Sequence, residues 1–235
     1  MRGQFITFEG GEGAGKSTQM KRLAKRLEKE GFEVLVTREP GGTAGAEAVR
    51  HVVLSGAAQK YGTEMEAILF AAARADNVQE LIKPALEKGT IVLCDRFMDS
   101  SRVYQGVSGG VDENFLLAME RAVTEGARPD LTLIFDLSPE VGLSRAADVW
   151  AEDGPDRFEK DDLELQEARR QGFLDIAKDE PDRCIVIDAS LSLEEVSEAL
   201  DAAVDTYFDS IDFNSNRESK SKSKSKSKPV SKSKV

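Results

Sequence analysis

Runs of apolar residues alternate along this chain with stretches in which apolar residues recur every three or four positions. The runs predict strands and the spaced pattern predicts helices. The predicted strands cover residues 4–8, 34–37, 90–94, 131–137 and 184–187. The predicted helices cover residues 17–30, 44–54, 63–86, 114–125, 140–147, 163–178 and 193–208. This alternation predicts an α/β fold, a five-stranded parallel sheet with helices on both faces.

The pattern stops after Phe213, where the composition changes abruptly. Residues 219–228 alternate strictly between serine and lysine and have no apolar face to bury. We therefore expect one domain over residues 1–213 and a disordered basic tail over residues 214–235. The simplest role for the tail is to aid solubility or balance charge. An electrostatic handle for an acidic partner or nucleic acid is the alternative.

The net charge of the chain is −11, but its two parts differ in sign. Residues 217–235 sum to +7, so the preceding part carries −18. An acidic domain argues against nucleic acid as the partner, because duplex binding needs clustered cations. A few arginines in one pocket are still compatible with a small anionic substrate.

Two cysteines, Cys94 and Cys184, lie inside apolar runs. We expect both to be buried thiols of a reducing compartment rather than a disulfide or a metal site. The chain contains neither a charged and apolar leader nor an apolar run of the ~18 residues that suggest a membrane span. A cytoplasmic location without a membrane partner is the resulting expectation.

A phosphate-binding P-loop, G-x-x-x-x-G-K-[ST], follows the first predicted strand and precedes the first predicted helix. Its residues are Gly10, Gly11, Glu12, Gly13, Ala14, Gly15, Lys16 and Ser17. The glycines allow backbone N–H groups to approach phosphate oxygens, and the helix N-terminus adds positive potential. We expect the loop and Thr18 to bind ATP, with Lys16 at the β- and γ-phosphates and the Ser17 hydroxyl at Mg²⁺. A glycine-rich turn that matches by chance is the alternative.

Charged side chains also stand at the ends of three predicted strands. Glu9 follows the first strand, Arg38 the second, and Asp95 and Arg96 the third. Ligands of open parallel sheets bind at the carboxyl ends of the strands. Arg38 and Arg96 suit phosphate, while Asp95 and Glu9 suit Mg²⁺ or its waters. Surface arginines and a helix-capping aspartate are the simpler explanations.

Longer motifs follow the P-loop in a defined order. They are Thr-Arg-Glu-Pro-Gly-Gly-Thr at 37–43, Asp-Arg-Phe at 95–97, Ser-Ser at 100–101, Tyr-Gln-Gly at 104–106, Arg-Pro-Asp-Leu-Thr at 128–132 and Asp-Arg-Phe-Glu at 156–159. Together with the P-loop, this set resembles the thymidylate kinase family over residues 4–190. The resemblance implies a P-loop, nucleoside monophosphate kinase-like fold with a mobile lid, usually as a homodimer.

The activity that the resemblance implies is transfer of the γ-phosphoryl group of ATP to dTMP, giving dTDP and ADP on the way to dTTP. Phe70 would then stack on thymine, and Arg74 would hydrogen-bond the base edge. Ser101, Tyr104 and Gln105 would line the nucleoside pocket, with Tyr104 as a filter against a 2′-hydroxyl.

The reaction needs cations more than a base, because the acceptor phosphate is already a nucleophile near neutral pH. By resemblance, Arg38 and Arg96 would hold that phosphate, and Lys16 and Arg96 would serve catalysis, with Glu9 close to the substrate. His51, the only histidine, is predicted to be a surface residue.

The lid implied by the resemblance lies at about residues 147–158. Gly13 occupies the P-loop position where another type of the family carries a basic residue, so the chain resembles the bacterial type, whose lid supplies the cation. This lid is poor in arginine, and Arg145 and Arg157 flank it. We expect these two arginines to stabilise the transition state.

Two other functions fit the P-loop. A related phosphotransferase acting on another monophosphate or a deoxynucleoside would differ in the acceptor pocket. A nucleotide-binding switch without catalysis would be expected to carry a guanine-specifying Asn-Lys-x-Asp element, and the sequence contains none.

Overall fold

The structure is a computed structural model that describes residues 2–153, 161–211 and 213. Its strands are β1 (Phe5–Gly10), β2 (Val34–Arg38), β3 (Ile91–Asp95), β4 (Leu131–Asp136) and β5 (Cys184–Asp188). Its helices are α1 (Lys16–Lys29), α2 (Ala44–Leu54), α3 (Thr63–Asn77), α4 (Lys83–Lys88), α5 (Met98–Ser101), α6 (Glu113–Thr124), α7 (Pro139–Asp153), α8 (Leu163–Asp179) and α9 (Leu193–Ser210). Short 3₁₀ and π-helical turns occupy Gln59–Tyr61, Val78–Ile82 and Arg102–Val107.

In this described part, the strands form one parallel sheet of order β2-β3-β1-β4-β5. The predicted five-stranded α/β fold is therefore confirmed. β1 lies in the centre, so the P-loop that follows it lies between the ends of β3 and β4. Asp95 at the end of β3 is in register with Phe8 on one side and Arg38 on the other.

Side chains of the central strands alternate between two helical layers, as expected for a sheet covered on both faces. Ile6 and Phe8 pack with α1 and α9, where Leu23, Leu200 and Phe208 are buried. Phe5 packs on the opposite face with the turn Val78–Ile82 and α4. Burial of these apolar side chains supplies the main favourable free energy of folding.

The two cysteines are buried free thiols, as predicted. Cys94 lies in the layer with Phe5, and Cys184 lies between β4 and α8. Burial raises the pKa of both thiols, that of Cys184 to about 12, so neither is a reactive thiolate. In the part of the chain that the structure describes, no helix is long and apolar enough to cross a membrane.

Three helical predictions were wrong in detail. The segment Met98–Val107 is helical although no helix was predicted there, and the predicted helix 63–86 is interrupted by the π-helical turn Val78–Ile82. The helix predicted over 140–147 continues to Asp153, so the first residues of the predicted lid belong to α7. Residues 148–153 contain neither Gly nor Pro, so this stretch has no residue that would stop the helix at 147. The rest of the lid, with Arg157, and the tail 214–235 lie outside the described residues.

Candidate active site

The P-loop presents the N-terminus of α1 to any anion bound in it. The N-cap is Gly15 with φ +85°, which has no side chain to cap the first N–H groups, and the first turn contains no acidic residue. The Lys16 ammonium donates to the carbonyls of Gly10 at 3.1 Å and Gly11 at 2.6 Å. Its burial, together with the nearby charge of Arg96, lowers the pKa of Lys16. The arrangement suits a phosphate chain.

The P-loop backbone also touches the backbone of α7. A Cβ on Gly13, where φ is +65°, would lie 2.0 Å from the carbonyl oxygen of Gly142. A Cβ on Gly142 would in turn lie 2.4 Å from the carbonyl oxygen of Glu12. Gly13 thus has no room for the basic side chain that the resemblance associates with this position in another type of the family.

A cavity of about 320 Å³ opens beside the P-loop at the carboxyl ends of β2 and β3. Its walls include ten side chains that the sequence singles out: Glu12, Ser17, Arg38, Phe70, Arg74, Asp95, Arg96, Ser101, Tyr104 and Gln105. They come from segments far apart in the sequence, which shows that the fold brings them together. Six further residues were not predicted: Glu39, Pro40, Arg50, Leu54, Phe97 and Ser100.

A charged cluster forms the end of the cavity nearest the P-loop. Arg96 pairs with the Glu12 carboxylate, and the Tyr104 hydroxyl donates to the same oxygen at 2.9 Å. Burial opposes ionisation of Glu12, but the charges of Arg96 and Lys16 outweigh it and hold its pKa below the usual value. Burial raises the pKa of Tyr104, so its phenol stays protonated. The Arg96 guanidinium lies 5.0 Å from the Tyr104 ring centroid.

The opposite end of the cavity is built around a buried arginine. Arg74 donates through Nε to Glu39 at 2.7 Å, and through Nη2 to the Phe97 carbonyl at 2.9 Å and to Ser101 Oγ at 3.0 Å. Burial raises the pKa of Glu39 despite this ion pair. Glu39 lies inside the sequence motif 37–43. Its place in this motif is the feature of the sequence that could have indicated a role in the site. Phe70, one helical turn before Arg74 on α3, lines the same cavity.

Three other predicted phosphate and metal ligands, Ser17, Arg38 and Asp95, also line the cavity. Ser17 Oγ hydrogen-bonds Asp95 Oδ2, so a hydroxyl and a carboxylate meet at the end of β3. Arg38 lines the cavity while it pairs with Glu47 at 2.9 Å. Its half-exposed guanidinium is held at the rim.

Glu9 occupies a different place from the one predicted for a metal or substrate ligand. It is fully buried and is not among the described residues that line the cavity. Its carboxylate accepts from the Phe97 N–H at 2.8 Å and from Ser100 Oγ at 2.6 Å. Burial and the neighbouring Asp99 raise its pKa to about 7. Glu9 therefore supports the turn after β3, in which Arg96 has φ +66°.

Arg145 is likewise not among the described cavity residues. It lies one helical turn after Gly142 on α7, exposed, and donates to the Ala189 carbonyl at 2.9 Å. Its neighbour Gly142 touches the P-loop, so Arg145 is close to the loop but apart from the cavity. His51 on α2 is exposed, as predicted.

Comparisons with known proteins show which family this chain resembles over most of its length. The family model for thymidylate kinase matches residues 8–200. Thymidylate kinases from two Bradyrhizobium strains, ORS 278 and BTAi1, are each 55% identical over 196 residues, or 83% of this chain and 87% of theirs. The crystal structure of thymidylate kinase from Ehrlichia chaffeensis is 34% identical, with a TM-score of 0.71, over 87% of this chain and 99% of that one. The chain therefore belongs to the thymidylate kinase family and is an ATP-dependent phosphotransferase that acts on dTMP.

Proposed function

We propose that the cavity holds the acceptor dTMP and that the P-loop holds the phosphates of ATP, so that the two nucleotides meet at Arg96. The observation that carries this proposal is the cavity itself, which runs from Glu12 and Ser17 of the P-loop to Phe70 and Arg74 of α3. An aromatic face and an arginine fork one helical turn apart can stack on a base and read its edge.

The contacts of Arg74 support this role. Its contacts with Glu39, Phe97 and Ser101 use Nε and Nη2, and Nη1 takes part in none of them. Nη1 can therefore donate to a carbonyl of thymine. Gln105 is buried in the same wall and can hydrogen-bond the nucleoside.

At the sugar end, Tyr104 is the proposed filter against a ribose 2′-hydroxyl. Its hydroxyl is held by Glu12, so the ring cannot turn away without breaking that hydrogen bond. A fixed ring can exclude a group that a mobile one would accommodate.

The acceptor phosphate is the proposed nucleophile, held by Arg38 and Arg96. Arg96 loses no freedom on binding it, because Glu12 and Ser100 already hold the guanidinium. Fixed cations that match the charge developing on the transferred group account for most of the catalysis. Lys16 is the proposed cation at the β- and γ-phosphates. Arg145, on α7, and Arg157 are proposed to stabilise the transition state.

The Mg²⁺ of the proposed reaction fits Ser17 and Asp95. Both offer oxygen, which this hard cation prefers, and an ion that keeps waters and shares phosphate oxygens needs only one or two protein ligands. Bound there, Mg²⁺ would neutralise charge on the phosphates. Glu9 accepts hydrogen bonds from the turn after β3, so we propose that it supports the site by stabilising this turn.

The exposed apolar surface and the cysteines bear on the assembly and the location of the protein. An apolar face on α3 and α6 leaves Met65, Ile68 and Phe115 between 38% and 44% exposed, which favours a homodimer through this face. The two buried free thiols are consistent with the reducing cytoplasm.

Binding measurements test the placement of the nucleotides. Phe70→Ala should weaken dTMP binding by about tenfold or more, since loss of base stacking costs ~1–3 kcal/mol, and should leave ATP binding unchanged. Tyr61→Ala, which removes a surface aromatic ring, is the control. Equal weakening of both nucleotides, or of neither, in isothermal titration calorimetry would contradict the proposal.

A further inference from the structure

One face of α8 packs closely on the segment that carries Tyr104. A Cβ on Gly172 would lie 3.2 Å from Val107 and 3.3 Å from Val103, so the helix backbone is in direct contact with the turn Arg102–Val107. Phe173, the next residue, is fully buried with its ring centroid 6.4 Å from that of Tyr104. Arg169 lies on the same face, because residues three and four apart share a face of a helix.

Arg169 contacts Tyr104 in two ways. Its guanidinium carbon lies 4.6 Å from the centroid of the Tyr104 ring, a cation–π distance. Its Nε donates to Ser108 Oγ at 3.2 Å, and Ser108 Oγ in turn donates to the Tyr104 carbonyl at 2.9 Å. Arg169 therefore contacts the Tyr104 ring directly and the Tyr104 backbone through Ser108.

The other end of the guanidinium reaches the chain that follows the lid. Arg169 Nη2 pairs with the carboxylate of Asp161, and the Arg169 side chain is 4% exposed. A guanidinium is planar and can stack on a ring while it donates at its edge, and a lysine ammonium cannot do both. The geometry therefore depends on arginine in particular.

We propose that Arg169 is a positioning residue for sugar selection, which holds the Tyr104 ring against the nucleoside and thereby sets the preference for a deoxyribonucleotide acceptor. The inference rests on the proposed function of the cavity. Glu12 accepts a hydrogen bond from the Tyr104 hydroxyl, and the Arg96 guanidinium contacts the Tyr104 ring. Arg169 adds a further contact with the ring, from α8. Arg169 is not among the described residues that line the cavity, so in this proposal it acts through Tyr104.

The test compares two acceptors that differ only in the 2′-hydroxyl, namely dTMP and ribothymidine 5′-monophosphate. Discrimination is the ratio of their kcat/KM values with ATP in excess. Arg169→Gln should lower this ratio by about tenfold, the effect of losing a desolvated cation–π contact, and leave the KM of ATP unchanged. Arg169→Lys should give a ratio between those of Arg169→Gln and the wild-type enzyme. Arg22→Gln, which removes an ion-paired arginine on α1, is the control and should keep the wild-type ratio.

A double-mutant cycle with Tyr104→Ala separates positioning from general damage. If Arg169 acts through Tyr104, the double variant should discriminate no worse than Tyr104→Ala alone. Additive losses, or Arg169 variants that keep the wild-type ratio, would overturn the inference. If neither Arg169 variant folds, as judged by its melting transition, the residue is structural and the inference is wrong. A wild-type enzyme that does not discriminate would instead contradict the proposed role of Tyr104 itself.

Discussion

Gly13 and Gly142 meet backbone to backbone, and this contact joins the P-loop to α7. Neither position tolerates a Cβ without a shift of the opposing carbonyl, and Gly13 adds a left-handed φ of +65°. The cation that another type of the family carries at this loop position thus has no space here. The loop depends for further positive charge on side chains from other elements, among them Arg96.

Substitution of Gly13 tests this contact through stability. Gly13→Ala should lower the free energy of unfolding by at least ~2 kcal/mol, because a left-handed alanine costs ~1–2 kcal/mol and the clash with Gly142 adds to it. Gly15→Ala is the matched control in the same loop, since its φ of +85° is also left-handed and a Cβ there meets nothing within 4 Å. Equal losses for the two variants in urea unfolding would show that the α7 contact is loose.

Single residues differ in how far the sequence predicts their positions. Ser17, Asp95 and Arg96 line the cavity, and each belongs to a local motif at the end of a strand, which is why the sequence indicates it. Arg169 was missed because its role depends on how α8 packs against a segment some sixty positions earlier. Pairings of this kind leave no local signal in one sequence.

At the scale of elements, a buried ionic network holds α5, which carries Ser100 and Ser101 into the cavity. Asp99 on α5 is fully buried and receives both Arg183 Nη atoms, at 2.8 and 3.0 Å. Glu180 at the end of α8 accepts from Arg102 at 2.8 Å and from Arg183 Nε at 2.9 Å. The network links α5 and the turn after it to the start of β5, which stabilises a short helix that could not stand alone.

Glu180 makes this network sensitive to acid. Burial opposes its ionisation, but hydrogen bonds from Arg183 and Arg102 outweigh burial and lower its pKa from 4.5 to about 2. A lowered pKa means that the stabilisation is complete above pH 4.5 and is lost as the pH falls towards 2. Glu180→Gln should therefore lower the free energy of unfolding at pH 7 by about 1 kcal/mol, a modest value for a partly exposed carboxylate.

The same comparison at low pH provides the check. The difference between Glu180→Gln and wild type in urea unfolding should shrink between pH 4.5 and pH 3. Glu87→Gln, an exposed carboxylate on α4, is the control. A difference that stays constant with pH would show that Glu180 acts by packing and not by charge.

Elements with strong periodicity were predicted to within a few residues, and α2 was predicted with its observed bounds. The segment Met98–Val107 was not predicted as a helix, because its polar and apolar residues follow no helical period. It is helical because Glu9 and Asp99 hold it from within the fold. The end of α7 was placed too early, at residue 147, although residues 148–153 contain neither Gly nor Pro to stop a helix.

At the scale of the whole molecule, the acidic domain and the basic tail are expected to act independently. The family match ends at residue 200, and the cavity is lined by residues between 12 and 105. Deletion of residues 219–235 should leave kcat and both KM values within about twofold of the full-length enzyme, a difference below ~0.5 kcal/mol. Steady-state assays at low and moderate salt are the measurement. A larger change at low salt alone would show that the seven lysines of this segment act on the active site.

The central claim is that one cavity, built from α3, the ends of β2 and β3 and the P-loop, selects dTMP as the phosphate acceptor. The most direct test is a coupled ADP-release assay with saturating ATP across dTMP, dUMP, other nucleoside monophosphates and thymidine. Phe70, Arg74 and Tyr104 together predict the highest kcat/KM with dTMP and no transfer to thymidine, which lacks the phosphate for Arg38 and Arg96. Higher kcat/KM with any other acceptor would contradict the account.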